Sequence, residues 1–518
     1  MALAKILWVD DEIDSLQSQK LFLETKGYEV KTVTNGFDAI DFVKENPVDV
    51  VLMDESMPGL TGLETLSKIK EVNSQIPVVL ITKNEEENLM DDAIGSQISD
   101  YIIKPVNPNQ VWLSLKKIID NKRLVSEKTT TAYQQQFRNL FMVLNSNPDH
   151  NEWMDIYKKL VYWELEMAKS DSPEMREVLQ SQKSEANTEF FKFVSKNYAS
   201  WVNPKSANAP VMSHNLFQFK VLPHAEKGTP LFFVLIDNLR FDQWKAIQPT
   251  FAESFRILEE DTFYSILPTA TQYARNAIFA GMLPVDIEKQ FTNEWKNDDE
   301  EGGKNLYEEK FFRAQLKRLK KDELRISYTK VVNNQAGIDL LNNIHNLLNN
   351  DINVIVYNFV DMLSHARTEM EVLKELAGDE MSYRSITTSW FEHSPLHQAL
   401  KKVADKNIKL VLATDHGSMR VKTPCKVIGD KQTTTNLRYK HGRNLNYEPK
   451  DVLAFRDPRE AGLPVPTVNS SFIFAREDNF LCYPNNYNHY VNYYRNTFQH
   501  GGVSLEEMIV PVIKMQSK

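Results

Sequence analysis

The first 120 residues alternate short apolar runs with amphipathic stretches of helical length. The apolar runs read KILWV, YEVKTV, VDVVLM, IPVVLI and DYIIK. Strands that alternate with helices are typical of a parallel, doubly wound α/β sheet. We therefore expect a first α/β domain that occupies residues 1–122.

Residues 123–205 carry a helical pattern instead. The segments EWMDIYKKLVYWELEMAK and SEANTEFFKFVSKNYASWV repeat apolar residues every three or four positions. This spacing predicts amphipathic helices, and Ser172 before Pro173 predicts a helix start between them. We expect a small helical bundle whose aromatic residues form a core rather than a surface for stacking on nucleic acid. These residues are Trp153, Tyr157, Tyr162, Trp163, Phe190, Phe191 and Phe193.

From residue 206 to residue 518 the alternation of strands and helices returns, with runs such as LFFVLI and KLVLAT. This region is too long for a simple DNA-binding module, so we expect an α/β enzyme domain. A net charge of −9 argues against a general nucleic-acid coat, and two cysteines exclude a disulfide framework. Acids follow the first apolar run in KILWVDDE, and no run approaches the ~18 residues of a membrane helix, so we expect a cytoplasmic protein.

Polar residues stand where the strands of the first region end. Asp10 and Asp11 follow the first strand, Asp54 the third, Thr82 the fourth and Lys104 the fifth. Carboxylates at neighbouring strand ends can hold a hard cation such as Mg²⁺, while a hydroxyl and a lysine can contact a phosphoryl group.

This ordered set resembles the flavodoxin-like receiver domain of two-component response regulators. The resemblance implies Asp54 as phosphoacceptor, Asp10 and Asp11 as Mg²⁺ ligands with it, Thr82 and Lys104 as sensors of the phosphoryl group, and Tyr101 as the switch aromatic. Lys83 stands where the family usually has a small residue, which makes the rate of dephosphorylation less predictable. A sensor histidine kinase is the implied partner, and a phosphorylation-promoted homodimer is expected.

A second set of ligand-type residues follows strand ends in the third region. Its members are Asp237 after LFFVLI, Asp361 and His365 after NVIVYNFV, Asp415 and His416 after VLAT, His500 before a double glycine, and Thr271 before a helical run. Asp361 and His365 are four residues apart, so one helical turn brings both to the same side. Mixed nitrogen and oxygen ligands without a thiolate suit two Zn²⁺ ions, with Mn²⁺ as the alternative.

The ordered pattern resembles the alkaline phosphatase superfamily, and LPTATQYARNAIFAG and HGGVSLEEMIVP resemble its PglZ branch. The likeness implies one zinc on Asp361, His365 and His500, and a second on Asp237, Asp415, His416 and the oxygen of Thr271. Thr271 is preferred over Thr269 as nucleophile because its offset from Pro268 matches threonine-bearing diesterases. A receiver joined through helices to such a domain resembles the PorX-type response regulators, a family associated with type IX protein secretion.

The leading hypothesis is therefore a response regulator with a zinc-dependent phosphoric ester hydrolase output, with diesters favoured over monoesters. Its substrate would be an anionic phosphoester, a nucleotide or oligonucleotide among the options. The alternative is a phosphorylation-controlled adaptor that binds a sigma factor or secretion component and keeps the metal fold as a scaffold. The basic residues between Asp415 and His500 fit either a lid over an anion or a solvated surface; they are Arg420, Lys422, Lys426, Lys431, Arg438, Lys440, His441 and Arg443. The segment EEKFFRAQLKRLKKDELRIS is predicted to be an exposed amphipathic helix.

Overall fold

A computed structural model describes residues 4–73, 76–83, 98–169, 173–203, 206, 208–298, 300–369, 378–430 and 433–518, without the side chains of 120–131 and 365–369. The chain divides into two compact units, Met1–Ala132 and Tyr133–Lys518. No helix in the described ranges is long and apolar enough to cross a membrane.

The first unit is a five-stranded parallel sheet in the order β2-β1-β3-β4-β5. The strands are β1 Lys5–Val9, β2 Glu29–Val33, β3 Val50–Asp54, β4 Val78–Thr82 and β5 Asp100–Ile103, and the first helices are α1 Gln17–Thr25, α2 Gly36–Glu45 and α3 Gly62–Val72. Every residue of β3 and β4 is buried, as expected for strands covered on both faces. The predicted doubly wound α/β fold is confirmed.

Three helices form the middle of the chain: α4 Pro108–Leu144, α5 His150–Ala168 and α6 Pro173–Trp201. A capping box of Asp149 and Glu152 starts α5. The indole of Trp153 and the ring of Phe190 lie 5.3 Å apart in the buried core, whereas Tyr162 is 53% exposed. The helical middle is confirmed, and α4 runs without a break through the predicted domain border after residue 122.

The second unit is built on a mixed six-stranded sheet in the order β7-β18-β10-β6-β9-β8. Its strands are β6 Leu231–Ile236, β7 Phe255–Tyr264, β8 Ile326–Val331, β9 Ile352–Tyr357, β10 Lys409–Ala413 and β18 Ile509–Ser517. Strands β8, β9, β6 and β10 are parallel, while β18 runs antiparallel between β10 and β7. All residues of β6 and β9 are buried, so these strands form the centre of the core.

Helices connect these strands, and three small sheets follow β10. The helices are α7 Phe241–Ser254, α8 Thr271–Ala280, α9 Pro284–Gln290, α10 Glu308–Arg318, α11 Asn334–Leu347, α12 Phe359–Glu369, α13 Glu380–His393, α14 Pro395–Val403, α15 Tyr487–Tyr494 and α16 Leu505–Met508. The small sheets pair β11 Met419–Arg420 with β17 Phe498–Gln499, β12 Thr423–Lys426 with β16 Asn479–Cys482, and β15 Ser471–Ala475 with β13 Tyr439–Gly442 and β14 Val452–Phe455. The short β11–β17 pair brings the chain before His500 back beside the residues that follow β10.

Candidate functional site

The carboxyl ends of the parallel strands β6, β9 and β10 meet at one edge of the large sheet. Asp237 directly follows β6, Asp361 lies in the first turn of α12 after β9, and Asp415 and His416 follow β10. Ligands of open α/β sheets bind at this edge because the chain leaves buried strands there in loops that can present polar side chains. The sequence therefore places four candidate metal ligands around one cleft.

Asp237, Asp415 and His416 form a buried group whose ligand atoms lie within 4.8 Å of one another. Oδ1 of Asp415 accepts the backbone N–H groups of Asn238 and His416, at 3.2 Å and 3.0 Å. No hydrogen-bond donor of the described residues reaches its Oδ2, although that atom is buried. Burial and the charge of Asp237 raise the pKa of Asp415 well above its usual range. Two crowded carboxylates with an unsatisfied buried oxygen fit a bound cation, which would supply the missing partner.

Hydrogen bonds to the backbone fix both histidine rings. Nδ1 of His416 lies 3.1 Å from the carbonyl oxygen of Gly417, and Nδ1 of His500 lies 3.2 Å from that of Thr269. A carbonyl only accepts, so each Nδ1 carries a proton, and in the neutral imidazole Nε2 then offers a lone pair. Nε2 of His416 lies 3.7 Å from Asp237 Oδ1, and Nε2 of His500 lies 3.6 Å from Asp361 Oδ1. Burial lowers the pKa of His416, which favours the neutral imidazole that binds metals.

The two histidine rings also bring the two halves of the predicted ligand set together. Their centroids are 4.3 Å apart and the rings are inclined by 22°. His365 was predicted to join Asp361 and His500; its backbone lies in α12, and its side chain is outside the described residues. The neighbouring Ser364 hydroxyl donates to the carbonyl of Phe498, which holds α12 against the strand before His500.

Thr271 and Thr269 have different surroundings. Thr271 is the first residue of α8 and is partly buried; its Oγ1 lies 3.0 Å from His416 Nε2 and 3.3 Å from Asp237 Oδ1. The hydroxyl of Thr269 is fully buried, donates to the carbonyl of Gly502 and accepts the N–H of Gly501. The geometry thus directs Thr271 toward the cluster and uses Thr269 to hold the loop that carries His500.

Sequence reasoning missed two residues inside the cluster. Asn238 adopts a left-handed conformation with φ of 63°, and its Nδ2 donates to Asp361 Oδ1 at 3.3 Å. Arg275 on α8 is buried and donates to Asp237 Oδ2 at 2.6 Å. The sequence does contain a signal for both residues: Asn238 directly follows a strand-end aspartate, and Arg275 lies one helical turn after Thr271.

Part of the basic segment before His500 is buried, whereas Lys422, Lys426 and Arg443 are exposed. Arg438 is completely buried and makes two hydrogen bonds with the carboxylate of Glu507. Nζ of Lys440 donates to two backbone carbonyl oxygens, and His441 Nε2 lies 3.2 Å from Asp298 Oδ2. Lys431 lies outside the described residues.

The first unit presents its own group of oxygen atoms. Carboxylate oxygens of Asp10, Asp11 and Asp54 lie within 4.8 Å of one another, and Lys104 Nζ lies 2.9 Å from Asp54 and 3.3 Å from Asp10. Burial raises the pKa of Asp54, and the hydrogen bond from Lys104 opposes this rise. A cation beside these carboxylates would favour the ionised Asp54, so the group fits a hard metal ion.

The remaining predicted receiver residues lie on β4 and β5. Thr82 ends β4 and its hydroxyl donates to Glu55 Oε2 at 2.5 Å. Tyr101 lies on β5 and is 41% exposed. Thr82 and Tyr101 therefore lie on the adjacent strands β4 and β5, and Lys104 directly follows β5.

A third group of carboxylates, formed by Glu164, Asp242 and Glu380, is geometrically close enough to hold a metal. These acids are already paired with basic side chains. Arg240 lies 2.7 Å from Asp242 and 2.5 Å from Glu380, and Arg384 pairs with Glu164 and Asp242. We read this group as an ion-pair network that ties the middle helices to α7 and α13.

Comparison with known families gives three matches along the chain. Residues 6–116 match the response regulator receiver domain, residues 123–202 match the PorX response regulator linker domain, and residues 216–515 match the BREX system PglZ alkaline phosphatase-like domain.

Curated relatives match only part of the chain. The phosphoglycerate transport system transcriptional regulatory protein PgtA of Salmonella typhimurium is 29% identical over 30% of this chain and 35% of its own length. The transcriptional regulatory protein ZraR of Klebsiella oxytoca is 34% identical over 26% of this chain and 30% of its own length. The chain thus spans about a third of these relatives. Among solved structures, a CheY-like receiver domain protein from Methanospirillum hungatei is 27% identical, with 23% of this chain and 96% of that chain covered and a TM-score of 0.23.

Proposed function

The chain belongs to the PorX-type family, and we propose that it is a phosphorylation-controlled, zinc-dependent phosphodiesterase. In this family a response regulator receiver, a PorX linker domain and a PglZ alkaline phosphatase-like domain are joined in one chain. The observation that carries this proposal is the buried group of Asp237, Asp415 and His416 with the Thr271 hydroxyl 3.0 Å from the imidazole. A nucleophile, an imidazole and two carboxylates at one strand edge suit hydrolysis of a phosphoric ester.

The donor set supports two zinc ions. Asp237, Asp415, His416 and the Thr271 oxygen would hold one, and Asp361, His365 and His500 would hold the other. When bound, the ions would supply Lewis-acid stabilisation of the transferring phosphoryl group and lower the pKa of a coordinated hydroxyl or water.

The chain itself contributes the nucleophile and its orientation. Thr271 is the first residue of α8, where unpaired backbone N–H groups favour an anion such as a phosphoryl oxygen. We propose that the Thr271 oxygen attacks phosphorus, that the bond to the leaving alcohol breaks, and that water later hydrolyses the phosphothreonine. Asn238, the residue after Asp237, donates a hydrogen bond to Asp361 and so orients that carboxylate. The carbonyl groups of Gly417 and Thr269 keep the proton on Nδ1 of His416 and His500, which leaves Nε2 to bind a metal.

Diesters are favoured over monoesters because of the likeness to threonine-bearing diesterases. The substrate is an anionic phosphoester, with nucleotides and oligonucleotides as the first compounds to test. In the receiver of this protein, which we place in the cytoplasm, Asp54 would accept a phosphoryl group from a sensor histidine kinase with Mg²⁺ on Asp10, Asp11 and Asp54. Phosphorylation would promote formation of a homodimer. It would also link the enzyme to type IX secretion, with a sigma factor or a component of the secretion system as the partner.

The test combines metal analysis of the purified chain with hydrolysis of aryl phosphate mono- and diesters. We expect about two zinc ions per chain, hydrolysis of the diester, and loss of both zinc and activity in Asp361→Ala and His500→Ala. Activity that survives complete removal of metal by chelators would refute the zinc mechanism. A zinc-loaded chain that hydrolyses neither ester class would instead favour the adaptor function.

A further inference from the structure

Arg275 occupies an unusual position for a fully buried cation. It lies four residues after Thr271 on α8, so both side chains are on the same side of the helix. Its Nη1 donates to Asp237 Oδ2 at 2.6 Å and to Asn358 Oδ1 at 3.2 Å, and its Nε donates to Glu308 Oε1 at 2.5 Å. One guanidinium therefore joins the nucleophile helix to the ends of β6 and β9 and to the start of α10.

The hydrogen bond from Arg275 gives the two oxygens of the Asp237 carboxylate different partners. Oδ2 accepts the guanidinium, while Oδ1 lies on the side of the Thr271 hydroxyl and His416 Nε2. Asp415 Oδ2 is 4.0 Å from Arg275 Nη1, too far for a hydrogen bond, so Arg275 selects one carboxylate of the pair. The hydrogen bond to Oδ2 turns Oδ1 of Asp237 toward the Thr271 hydroxyl and His416, where the proposed metal site lies.

We propose that Arg275 is a positioning residue that orients the Asp237 carboxylate toward the proposed metal site and sets its distance from the Thr271 hydroxyl. This inference rests on the proposed metal site. A buried arginine needs only charged partners to be stable, whereas the proposed role of Arg275 is to orient a metal ligand. When a hydrogen bond that orients a metal-binding side chain is removed, the affinity for the metal typically falls about 10–100-fold.

Glu308 keeps Arg275 in place. This acid is buried, and its second oxygen accepts the Tyr328 hydroxyl at 2.6 Å and Lys330 Nζ at 2.8 Å. Charges therefore alternate from Asp237 through Arg275 and Glu308 to Lys330, which lowers the cost of burying the guanidinium. A lysine at position 275 could not contact Asp237, Asn358 and Glu308 at the same time, because it has one nitrogen in place of a planar fork.

The experiment compares Arg275→Lys with Arg318→Lys in the full-length chain. Arg318 donates to the carbonyls of Ala280 and Gly281 at the other end of α8, so it controls for loosening the helix without touching Asp237. The readouts are zinc affinity by chelator competition and the visible absorption spectrum of the Co²⁺-substituted protein, which reports ligand number and geometry. We expect Arg275→Lys to bind zinc about 10–100-fold more weakly and to change the cobalt spectrum, and Arg318→Lys to resemble the wild type.

Glu308→Gln serves as a second variant, because it retains Arg275 while weakening the partner that orients it. It should alter the cobalt spectrum in the same direction with a smaller loss of zinc affinity. Folded Arg275→Lys, or folded Glu308→Gln if the first variant does not fold, with wild-type affinity and spectrum would overturn the inference.

The same measurements separate this inference from the proposed function. A wild-type chain that binds zinc but cleaves no phosphoester refutes the proposed hydrolase, while the cobalt spectra still decide the role of Arg275. A wild-type chain that takes up neither zinc nor cobalt refutes both.

Discussion

Replacing Thr271 or Thr269 by valine should separate catalysis from stability, because the two hydroxyls have opposite surroundings. The Thr271 hydroxyl is partly buried and contacts His416 and Asp237. Its loss should cost only about 1 kcal/mol of folding free energy, the usual value of a modest hydrogen bond. If Thr271 is the nucleophile, turnover of an aryl phosphodiester should fall at least ~10³-fold, equivalent to about 4 kcal/mol of activation free energy.

Thr269→Val should lower the stability of the fold more than the turnover, which is the opposite of Thr271→Val. It leaves the N–H of Gly501 and the carbonyl of Gly502 without the hydroxyl partner that each now has in the buried loop. An unsatisfied buried group costs about 1–3 kcal/mol, so this variant should unfold at clearly lower urea concentration than Thr271→Val. Its turnover should fall much less, through a small shift of the adjacent His500.

The assay measures turnover of the diester and urea unfolding for both variants at equal zinc occupancy. Thr271→Val should keep the zinc held by Asp361 and His500. Near-wild-type turnover in Thr271→Val together with an inactive, well-folded Thr269→Val would show that the nucleophile is misassigned.

Three further outcomes test the receiver and the core. Asp54→Ala should lose Mg²⁺-dependent incorporation of phosphate from a small phosphodonor, and unchanged labelling would contradict the assignment. Sedimentation of the phosphorylated chain should show a larger dimer fraction than Asp54→Ala at the same concentration; identical masses would count against dimerisation. Glu507→Gln should destabilise the chain by about 3–5 kcal/mol in urea because it leaves Arg438 buried without its charged partner. The exposed pair of Arg313 and Glu309 is the control, and Arg313→Ala should change stability little.

The sequence predicted the strand-end residues because their signal is local. A buried apolar run followed by an acid, as at Asp237 and Asp415, identifies both the strand and the side chain that leaves it. The parallel sheet of the first unit, the buried parallel strands of the second unit and the helical middle followed from the periodicity of apolar residues. The ordered spacing from Asp237 to His500 then identified one cleft rather than scattered acids.

The burial of Arg438 and His441 could not be predicted from the sequence, because their partners lie far away along the chain. Glu507 neutralises Arg438 from 69 positions away, and Asp298 lies beside His441 from 143 positions away (441 − 298). The sequence of this basic run therefore left both a lid and a solvated surface open, although Lys440 and His441 on β13 are buried. Likewise the segment from Glu308 was predicted to be exposed, whereas Phe311 and Phe312 of α10 are buried and Glu308 holds Arg275.

The interior position of β18 has a consequence for the order in which the protein can fold during synthesis. Strand β18, Ile509–Ser517, lies between β10 and β7, so the large sheet is incomplete until the residues up to Ser517 have left the ribosome. The receiver sheet uses only strands between Lys5 and Ile103 and can form while translation continues. A nascent chain would thus carry a folded receiver domain well before it could assemble the cleft of the PglZ domain, and premature termination would yield a receiver without that domain.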